Sequence, residues 1–216
     1  MKNGLFKKWL AAALCVLALG STAALAEPDS FGLGTGRDGA FTVPAATSST
    51  INSYAQVTGP LAPGDTAIPM GACLGNTACF TAGDLVMVLQ TTGVVPVPDS
   101  GAPGALDITN DPVGRWEFAR LASVSGSTLT LTAPLVSSYA ANVTQVIRVP
   151  EYTSVTLTAT NSRIIATPWD GSAGGVIAFL ATGTVSNAGQ INANAVGFRG
   201  GLYVDDGTAT LGCSGL

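Results

Sequence analysis

The sequence contains no histidine, and its only lysines are Lys2, Lys7 and Lys8, at the very start of the chain. Beyond that start, a serine or cysteine nucleophile lacks both the usual histidine base and a lysine that could replace it. A metal site would also lack its commonest nitrogen ligand. These absences argue against a hydrolase with a nucleophile relay and against a histidine-based metal centre.

Charge is scarce, because charged residues make up only 10% of the chain. Without the three lysines of the leader described next, six arginines face 13 acidic residues, which gives a formal net charge of −7. Such a surface repels nucleic acid and anionic lipid, since phosphate groups are bound chiefly by Lys and Arg. We therefore expect no nucleic-acid partner. Neutral Thr, Ser, Asn and Gly are abundant instead, a composition typical of secreted all-β proteins.

Residues 1–26 have the three parts of a signal peptide: a basic start, an apolar centre over residues 10–19, and the small-x-small site Ala24-Leu25-Ala26. Cleavage after Ala26 would leave Glu27 as the new amino terminus. The alternative is a retained membrane anchor, but the apolar run is too short to span a bilayer comfortably. We expect an exported protein, extracellular or on the outer cell surface, with no transmembrane segment in the mature chain.

Two of the four cysteines, Cys73 and Cys79, enclose the five residues LGNTA. An exported chain meets an oxidising compartment, which favours a local disulfide that closes a hairpin loop. Cys213 is then left without a partner, and the sequence stops at Leu216 within a Gly- and Thr-rich pattern. These observations predict the beginning of a longer protein, or a shortened relative of one, with the partner of Cys213 further on.

The strongest pattern lies in residues 174–201, GGVIAFLATGTVSNAGQINANAVGFRGG. Gly and Asn disfavour a helix and suit the tight turns between short strands. Short strands with short turns are typical of a chain that winds as a coil of parallel strands. A constant offset of 21 residues supports this interpretation, since the apolar residues Val155, Leu157 and Ile164 recur as Val176, Ala178 and Val185. The alternative is the edge of an antiparallel sandwich with Gly-rich hairpins.

The patterns divide the mature chain into three parts. Residues 27–39 are interpreted as a flexible lead-in, and residues 40–150 as an antiparallel β-module, a small barrel or sandwich of about six strands. Within that module, the strand at residues 85–89 is apolar on both faces and should be central, and the alternation around Gly126 predicts a hairpin. Residues 151–216 would form the first turns of a parallel β-helix-like coil, whose first turn the module covers. The alternative fold is a single β-sandwich.

Paired carboxylates are the remaining route to catalysis, since two acids suffice for glycoside hydrolysis. The candidates are Asp84 with Glu117, and the loop acids Asp99, Asp107 and Asp111. A structural role is favoured for them, because turns use Asp side chains as hydrogen-bond acceptors. Calcium could bind at Asp205-Asp206 or in the 99–111 loop, although neither has a spaced motif.

Four scattered aromatic residues could stack on sugar rings, although core or capping roles are favoured for them: Tyr152, Trp169, Phe198 and Tyr203. We predict no catalytic, cofactor-binding or metal-binding residue and no cofactor. The outward Thr and Ser side chains predicted for the strands would offer neutral hydrogen-bonding faces.

Five segments resemble a known family: INSYAQVTGPLAPGDTAI, FTAGDLVMVLQTTG, GRWEFARLASVSGSTLTLTAPL, TQVIRVPEYTSVTL and GGVIAFLATGTVSNAGQINANAVGFRGG. In this order they resemble the amino-terminal region of large exported myxobacterial surface proteins, some labelled adventurous gliding motility proteins. The resemblance covers nearly the whole mature chain and implies a β-rich envelope or extracellular protein with many repeats downstream. It offers no catalytic motif, and this sequence ends where the long part of the family would continue.

We predict a secreted or cell-surface structural or adhesive module of a bacterial envelope protein, linked to gliding motility or matrix attachment, that is not an enzyme. Its partners would be cell-surface polysaccharide or other envelope proteins. The alternative is a carbohydrate-binding or polysaccharide-degrading β-helix protein that uses the groove of the coil and acids at its rim. Clustered Arg, Lys and Asp on one strand face would favour an enzyme, and the sequence lacks such a cluster.

Overall fold

The computed structural model describes residues 32–76, 79–94, 105, 107–109 and 111–198, and the backbone of residues 202–203 and 213–214. The predicted signal peptide and its cleavage site lie outside these residues. Regular structure in the described part is entirely β-strand, as the sequence predicts. The strands in chain order are β1 (Ala40–Val43), β2 (Ser48–Thr50), β3 (Ser53–Gln56), β4 (Ala67–Pro69), β5 (Leu74–Gly75), β6 (Leu85–Gln90), β7 (Trp116–Ser125), β8 (Thr128–Leu131), β9 (Thr144–Val149), β10 (Glu151–Tyr152), β11 (Ser154–Leu157), β12 (Arg163–Ile165), β13 (Leu180–Ala181), β14 (Val185–Asn187), β15 (Gln190–Asn192), β16 (Leu202–Tyr203) and β17 (Cys213–Ser214).

Three parallel ladders build a coil. β1 pairs with β11, and β11 pairs with β14. β2, β12 and β15 form the second ladder in the same way, and β10 and β13 form the third. Turn 1 (residues 40–50), turn 2 (151–165) and turn 3 (180–192) therefore stack on one another. The predicted coil of parallel strands is confirmed, and the structure is not the single sandwich of the alternative.

Branched apolar side chains stack inside the coil at matching positions. Val155 lies in register with Val185 in one ladder, and Ile164 lies in register with Ile191 in another. Strands this short suffice because each turn gains hydrogen bonds and apolar contacts from the turns on either side. Six buried residues form the centre of this core: Val43, Ile51, Tyr152, Val155, Leu157 and Ile164.

The spacing between turns is longer than the offset predicted from the sequence. In the ladders, Val155 aligns with Val185 and Ile164 aligns with Ile191. The predicted match of Val155 with Val176 is wrong, because Val176 packs against the antiparallel sheet instead. Corners of a coil vary in length, so an apolar residue in a corner can imitate a repeat that the ladders do not have.

Residues 53–149, which we name the inserted module, form a seven-stranded antiparallel sheet in the order β4-β8-β7-β6-β9-β3-β5. β6 lies in the middle, as predicted, and β7 and β8 form the predicted hairpin. The sheet curls until Val57, just after β3, meets Met70, just after β4, in an isolated antiparallel bridge. A large aliphatic core fills one face, with Leu121, Leu129 and Val146 among its buried members.

β1 and β2 belong to the coil, although the predicted boundary places residues 40–50 in the antiparallel module. Ala40 pairs with Ser154, which lies on the far side of the whole inserted module in the sequence. The pattern within a strand indicates which face is buried, but it carries no information about so distant a partner. The antiparallel module is therefore an insertion between turn 1 and turn 2, and not a cap in front of the coil.

Residues 32–39, part of the predicted flexible lead-in, pack along turn 2. The N–H of Asp38 donates to the carbonyl of Glu151 (2.9 Å), and the N–H of Thr153 donates to the carbonyl of Gly39 (2.8 Å). A Cβ atom on Gly34, which has a positive φ, would lie 3.0 Å from the Cβ of Leu180. Glycine at this position thus permits a close approach that another residue would obstruct.

Buried amide side chains join the inserted module to the coil. Asn52 accepts from the N–H of Ala178 (3.2 Å) and donates to its carbonyl (2.6 Å), and Gln145 forms the same reciprocal pair with Gly174 (2.9 and 3.2 Å). A side-chain amide offers the donor and acceptor of a peptide group, so each amide takes the place of a neighbouring strand. Beside them, Tyr54 and Ile147 pack against Ala173. One face of the module therefore packs against the segment that connects turn 2 to turn 3.

Candidate functional site

Asp84 and Glu117, the candidate pair of carboxylates for which a structural role is favoured, do not come together. Asp84 immediately precedes β6, and its carbonyl accepts from Leu121, whereas Glu117 lies opposite Val88. On β7, Leu121 and Glu117 lie four residues apart, which is about 13 Å along an extended strand. A glycosidase that inverts configuration holds its carboxyl groups about 6.5–9.5 Å apart, and one that retains it holds them closer. The backbone separation therefore does not support a joint role for these two acids.

Asp84 is part of a cluster of alternating charges between the lead-in, the inserted module and turn 2, in which Asp84 and Glu151 are buried. We name this cluster the charged junction. One oxygen of Asp84 accepts from Arg148 Nε (3.1 Å) and from the N–H of Thr81 (2.7 Å), and the other lies 3.5 Å from Arg37. Arg148 also binds Asp38. The members of the charged junction are Arg37, Asp38, Asp84, Arg120, Arg148 and Glu151.

Glu151 is fully buried at the start of turn 2 and completes the charged junction. Both oxygens accept from Arg120 in a fork (2.8 and 3.1 Å), and one also accepts from the N–H of Thr35 (2.8 Å). Burial by itself raises the pKa of Glu151, but the hydrogen bonds from Arg120 and Thr35 outweigh it and hold that pKa below its usual value. The carboxylate therefore stays ionised at neutral pH and has the partners of a structural ion pair.

Arg148 is the centre of the other half of the charged junction. Burial lowers the pKa of this guanidinium, and the hydrogen bonds and charges of Asp84 and Asp38 more than reverse that effect, so the pKa is raised. The sequence analysis does not select Arg148, Arg120 or Glu151. Arg148 and Arg120 occupy alternating strand positions that resemble ordinary solvent-facing sites, and each binds a partner that is distant in the sequence, Asp38 of the lead-in for Arg148 and Glu151 of the coil for Arg120. Each carboxylate of the junction is thus held by arginine.

Glu117 stabilises the loop that contains Val136 and Ser137. Its two oxygens accept from the N–H groups of Val136 (2.8 Å) and Ser137 (3.1 Å). The buried hydroxyl of Tyr139 lies beside this carboxylate, and burial together with the Glu117 charge raises the pKa of Tyr139. Two backbone donors satisfy a buried carboxylate well, so the residue behaves as a cap on the segment that follows β8.

The loop acids stabilise their own turns. Asp107 accepts from the N–H of Thr109 (2.9 Å), and Asp111 accepts from the N–H of Val113 (2.8 Å). The hydrogen bond from the Thr109 side chain, followed by that from its backbone, lowers the pKa of Asp107. Asp99, Asp205 and Asp206 lie outside the described residues. Within the described ranges, no three His, Cys, Asp or Glu residues are grouped so that they could hold a metal ion.

The aromatic residues selected from the sequence belong mostly to the interior. Tyr152 stacks on Phe41 with ring centroids 4.9 Å apart, and Trp169 is buried with its ring edge-to-face against Phe198. The side chain of Tyr203 lies outside the description. The sequence analysis missed Trp116, which is 51% exposed and lies 5.3 Å from Phe118 in an edge-to-face pair. In the sequence, Trp116 alternates with Glu117 along a strand, but the sequence does not show which face of the sheet the coil leaves open.

A column of hydroxyl groups runs along the outside of the first ladder. Thr42 lies in register with Thr156, and Thr156 lies in register with Ser186. Neighbouring strands in a sheet are about 4.8 Å apart, so these hydroxyls repeat at that interval along the coil. The column has no charge and can both donate and accept hydrogen bonds. We name these three residues the hydroxyl column.

The disulfide between Cys73 and Cys79 is present, with Cα atoms 6.1 Å apart. It lies next to β5, at the edge of the sheet in the inserted module. The cross-link therefore constrains an edge strand and is remote in the sheet order from the central β6. Cys213 lies in β17, whose side chains are outside the description, so its pairing stays a prediction.

No protein-family model and no curated protein matches the chain. Among solved structures it is similar to the tailspike gp61 of Pseudomonas phage phi297, at 17% identity and a TM-score of 0.31 over 59% of this chain. It is also similar to the Gp54 tailspike of Acinetobacter baumannii bacteriophage AP22, determined in complex with a capsular saccharide, at 11% identity and a TM-score of 0.33 over 67% of this chain. A third is the tailspike gp49 of Pseudomonas phage LKA1, at 14% identity and a TM-score of 0.30 over 60% of this chain.

The chain spans only 22%, 24% and 27% of the lengths of these three tailspikes, respectively. The assignment of a coil with an inserted sheet rests on the strand pairing described above. Within the described part of the chain, no helix has the length and apolar character needed to cross a bilayer.

Proposed function

We propose that the chain is a non-enzymatic structural module of an exported, cell-surface protein, in which an antiparallel insertion holds the start of a parallel β-coil. The main support is the state of the candidate acids. The four candidate acids whose contacts are described, Asp84, Glu117, Asp107 and Asp111, all accept hydrogen bonds that organise backbone or arginine side chains. Such groups suit a scaffold, because protonating or moving them would disturb the fold.

The mechanical basis of the proposal is the arrangement of the ladders. Parallel strands stack through turn 1, turn 2 and turn 3, so a load along the coil is shared by the hydrogen bonds of successive ladders. The charged junction and the amides of Asn52 and Gln145 fasten these turns to a second sheet. A pull on one turn is thus transmitted to the inserted module.

We further propose that the chain is exported through cleavage after Ala26 and attaches to polysaccharide or envelope proteins. The hydroxyl column of Thr42, Thr156 and Ser186 offers neutral donors and acceptors for such a partner. The Cys73–Cys79 disulfide is compatible with an oxidising compartment. A part in gliding motility or matrix attachment belongs to this proposal through the resemblance of the sequence to myxobacterial surface proteins.

A retention assay tests the proposal. The purified exported chain is incubated with insoluble neutral and acidic polysaccharides and with envelope fragments, and both bound protein and released sugar ends are measured. We expect retention without new reducing or unsaturated ends. Release of such ends would contradict the non-enzymatic role, and no retention on any material would contradict the adhesive role.

Matched variants locate the contact. Replacement of the hydroxyl column by glutamate (T42E/T156E/S186E) should reduce retention about tenfold or more, since buried carboxylates without partners oppose binding. The control S123E/S125E/S127E adds the same charge to exposed serines of the inserted module. Equal retention by both variants would show that the hydroxyl column is not the contact.

A second candidate function is carbohydrate binding through Trp116. Its exposed ring and the neighbouring Phe118 form an aromatic ledge of the kind on which sugar rings stack. In the same assay, Trp116→Ala should abolish retention if this ledge is the contact, while Val136→Ala, another exposed apolar position, should not. Loss with Trp116→Ala and none with the hydroxyl-column variant would favour this second function.

A further inference from the structure

The turns of the coil present a single charge to solvent. Over turns 1, 2 and 3, the sequence contains one acid, Glu151, and one base, Arg163. Glu151 is fully buried and bound by Arg120, whereas Arg163 is exposed. None of the ion pairs among the described residues includes Arg163. The side chains that these turns expose are therefore neutral apart from one guanidinium group.

Arg163 lies in the middle of a polar row that runs across the second ladder. On β12 it is in register with Ser48 of β2 on one side and with Gln190 of β15 on the other. All three side chains are exposed, and neighbouring strands of a sheet are about 4.8 Å apart. We name these three residues the arginine row. It combines a guanidinium with a hydroxyl and an amide, so every member can donate hydrogen bonds to a bound ligand.

Protection of a strand edge does not explain Arg163. A charged residue on an edge strand discourages pairing with another chain, but β12 has a parallel partner on each side. The N–H of Arg163 donates to the carbonyl of Thr47 (2.8 Å), and the N–H of Gln190 donates to the carbonyl of Ser162 (2.9 Å). Hydrogen bonds of the ladder therefore fix the backbone of the arginine row on both sides of its charge.

We propose that the arginine row binds the carboxylate groups of an acidic polysaccharide, a polymer that contains uronic acids. This inference rests on the proposed attachment to polysaccharide and names the class of sugar. A planar guanidinium presents two parallel N–H donors to the two oxygens of a carboxylate, and a neutral glycan offers no such partner. The hydroxyl of Ser48 and the amide of Gln190 suit the hydroxyl groups of the sugar that carries the carboxylate.

The charge of the whole chain favours a partner of low charge density. A formal net charge of −7 after cleavage repels densely charged polymers such as nucleic acid. A uronic-acid polymer instead combines carboxylates with many neutral hydroxyl groups, which match the neutral side chains around Arg163. A single exposed ion pair is weak, so we expect a dissociation constant on the order of 1 mM for one carboxylate, and stronger retention on a polymer that offers many of them.

Retention on matched polymers measures this contact. The full exported chain is incubated with insoluble polygalacturonate and with the same polymer after methyl esterification, which removes the charge and keeps the sugar ring. Alginate, with and without esterification, provides a second linkage. We expect the wild type to be retained about fivefold more strongly on the charged form of at least one polymer. This difference should disappear at about 0.5 M salt, because salt screens an exposed ion pair.

Variants of one residue locate the contact. Arg163→Gln should reduce retention on the charged polymer about fivefold and leave retention on the esterified form unchanged. Arg163→Lys should lie between the two, because it keeps the charge and loses the fork. The matched control Arg115→Gln removes the same charge from the inserted module, where Arg115 donates to Ser138 (3.3 Å), and should change neither. Fluorescence of the buried Trp169 reports whether each variant retains the coil.

Three outcomes would overturn the inference, and they separate it from the proposed function. Equal retention on the charged and esterified forms of both polymers would remove the carboxylate contact and leave the attachment to polysaccharide intact. Equal losses with Arg163→Gln and Arg115→Gln would show that net charge, and not the arginine row, determines retention. No retention on any polymer would contradict both the inference and the attachment to polysaccharide on which it rests.

Discussion

The inserted module and the coil reach stability in different ways. β7 of the module is ten residues long and pairs on both sides with antiparallel strands of the module, β6 and β8, and the module has a large core of its own. Strands of the coil have two to four residues, and each pairs only with parallel strands of another turn. A strand of two residues such as β10 forms few hydrogen bonds by itself. The stability of the coil therefore depends on the stacking of its turns and on the inserted module that supports them.

The difference extends to how charge is used. Turn 3 is neutral, whereas the acids and arginines of the charged junction are concentrated where the module meets turn 2. Opposite charges there connect the lead-in and turn 2 to the inserted module. We therefore expect the coil to fail before the module when the junction is broken, and the following experiments test that order.

The largest effect is expected for Glu151→Gln. Removing this charge leaves Arg120 without its fork partner, and breaking a buried ion pair in this way costs about 3–5 kcal/mol. Urea unfolding measures the loss. The double variant E151M/R120M, which removes both charges, should recover much of it. A loss below about 1 kcal/mol would show that the charged junction contributes little to the stability of the coil.

Truncations in the two cores compare the regions directly. Leu129→Ala in the module and Ile164→Ala in the coil each remove a fully buried side chain and should cost about 3 kcal/mol. Trp116 lies in the module and Trp169 lies beside the coil. The fluorescence of Trp116 in a W169F background therefore reports the unfolding of the module, and that of Trp169 in a W116F background reports the unfolding of the coil. We expect Ile164→Ala to shift the Trp169 transition to lower urea than the Trp116 transition. Coincident transitions would mean that the regions unfold as one unit.

Removal of the disulfide should have a smaller effect, confined to the module. Cys73 and Cys79 are close in the sequence, with a separation of 6, and closing so short a loop stabilises a protein by about 2 kcal/mol. The variant C73S/C79S should lower the Trp116 transition and leave that of Trp169 in place. An equal shift of both transitions would show that stability passes from the sheet edge to the coil.

Lowering the pH should reduce the difference in the free energy of unfolding between the wild type and Glu151→Gln. The folded pKa of Glu151 lies below its unfolded value, so its stabilising contribution is complete above about pH 4.3 and is lost as the pH falls through the folded pKa. Urea midpoints at neutral pH and at successively lower pH measure this convergence. A difference that stays constant down to the lowest pH would contradict a lowered pKa.

The smallest effect is expected for Thr156→Val. Thr156 points outward from the middle of the coil, so its replacement should change the free energy of unfolding by less than about 0.5 kcal/mol. Retention on polysaccharide should nevertheless fall if the hydroxyl column is the contact. A large loss of stability would mean that this hydroxyl supports the fold and would make the binding result uninterpretable.

Local features could be predicted from the sequence and distant ones could not. The central strand β6 and the hairpin at Gly126 depend on alternation and turn chemistry within a few residues, and the structure has both. The pairing of β1 with β11 reaches across the entire inserted module, and no local pattern encodes it. For the same reason Asp84 could be selected as a carboxylate, whereas its partner Arg148 could not be identified.

The insertion between turn 1 and turn 2 sets an order of events during synthesis. β1 and β2 are made early, but their partners, β11 and β12, follow only after the entire inserted module has been made. Closing so long a loop is slow, and the first turn stays an exposed strand edge until then. The module contains the partners of all seven of its strands, so it can fold first and bring the two halves of the coil together. Folding would thus build this coil from its middle, with its earliest residues among the last to find their partners.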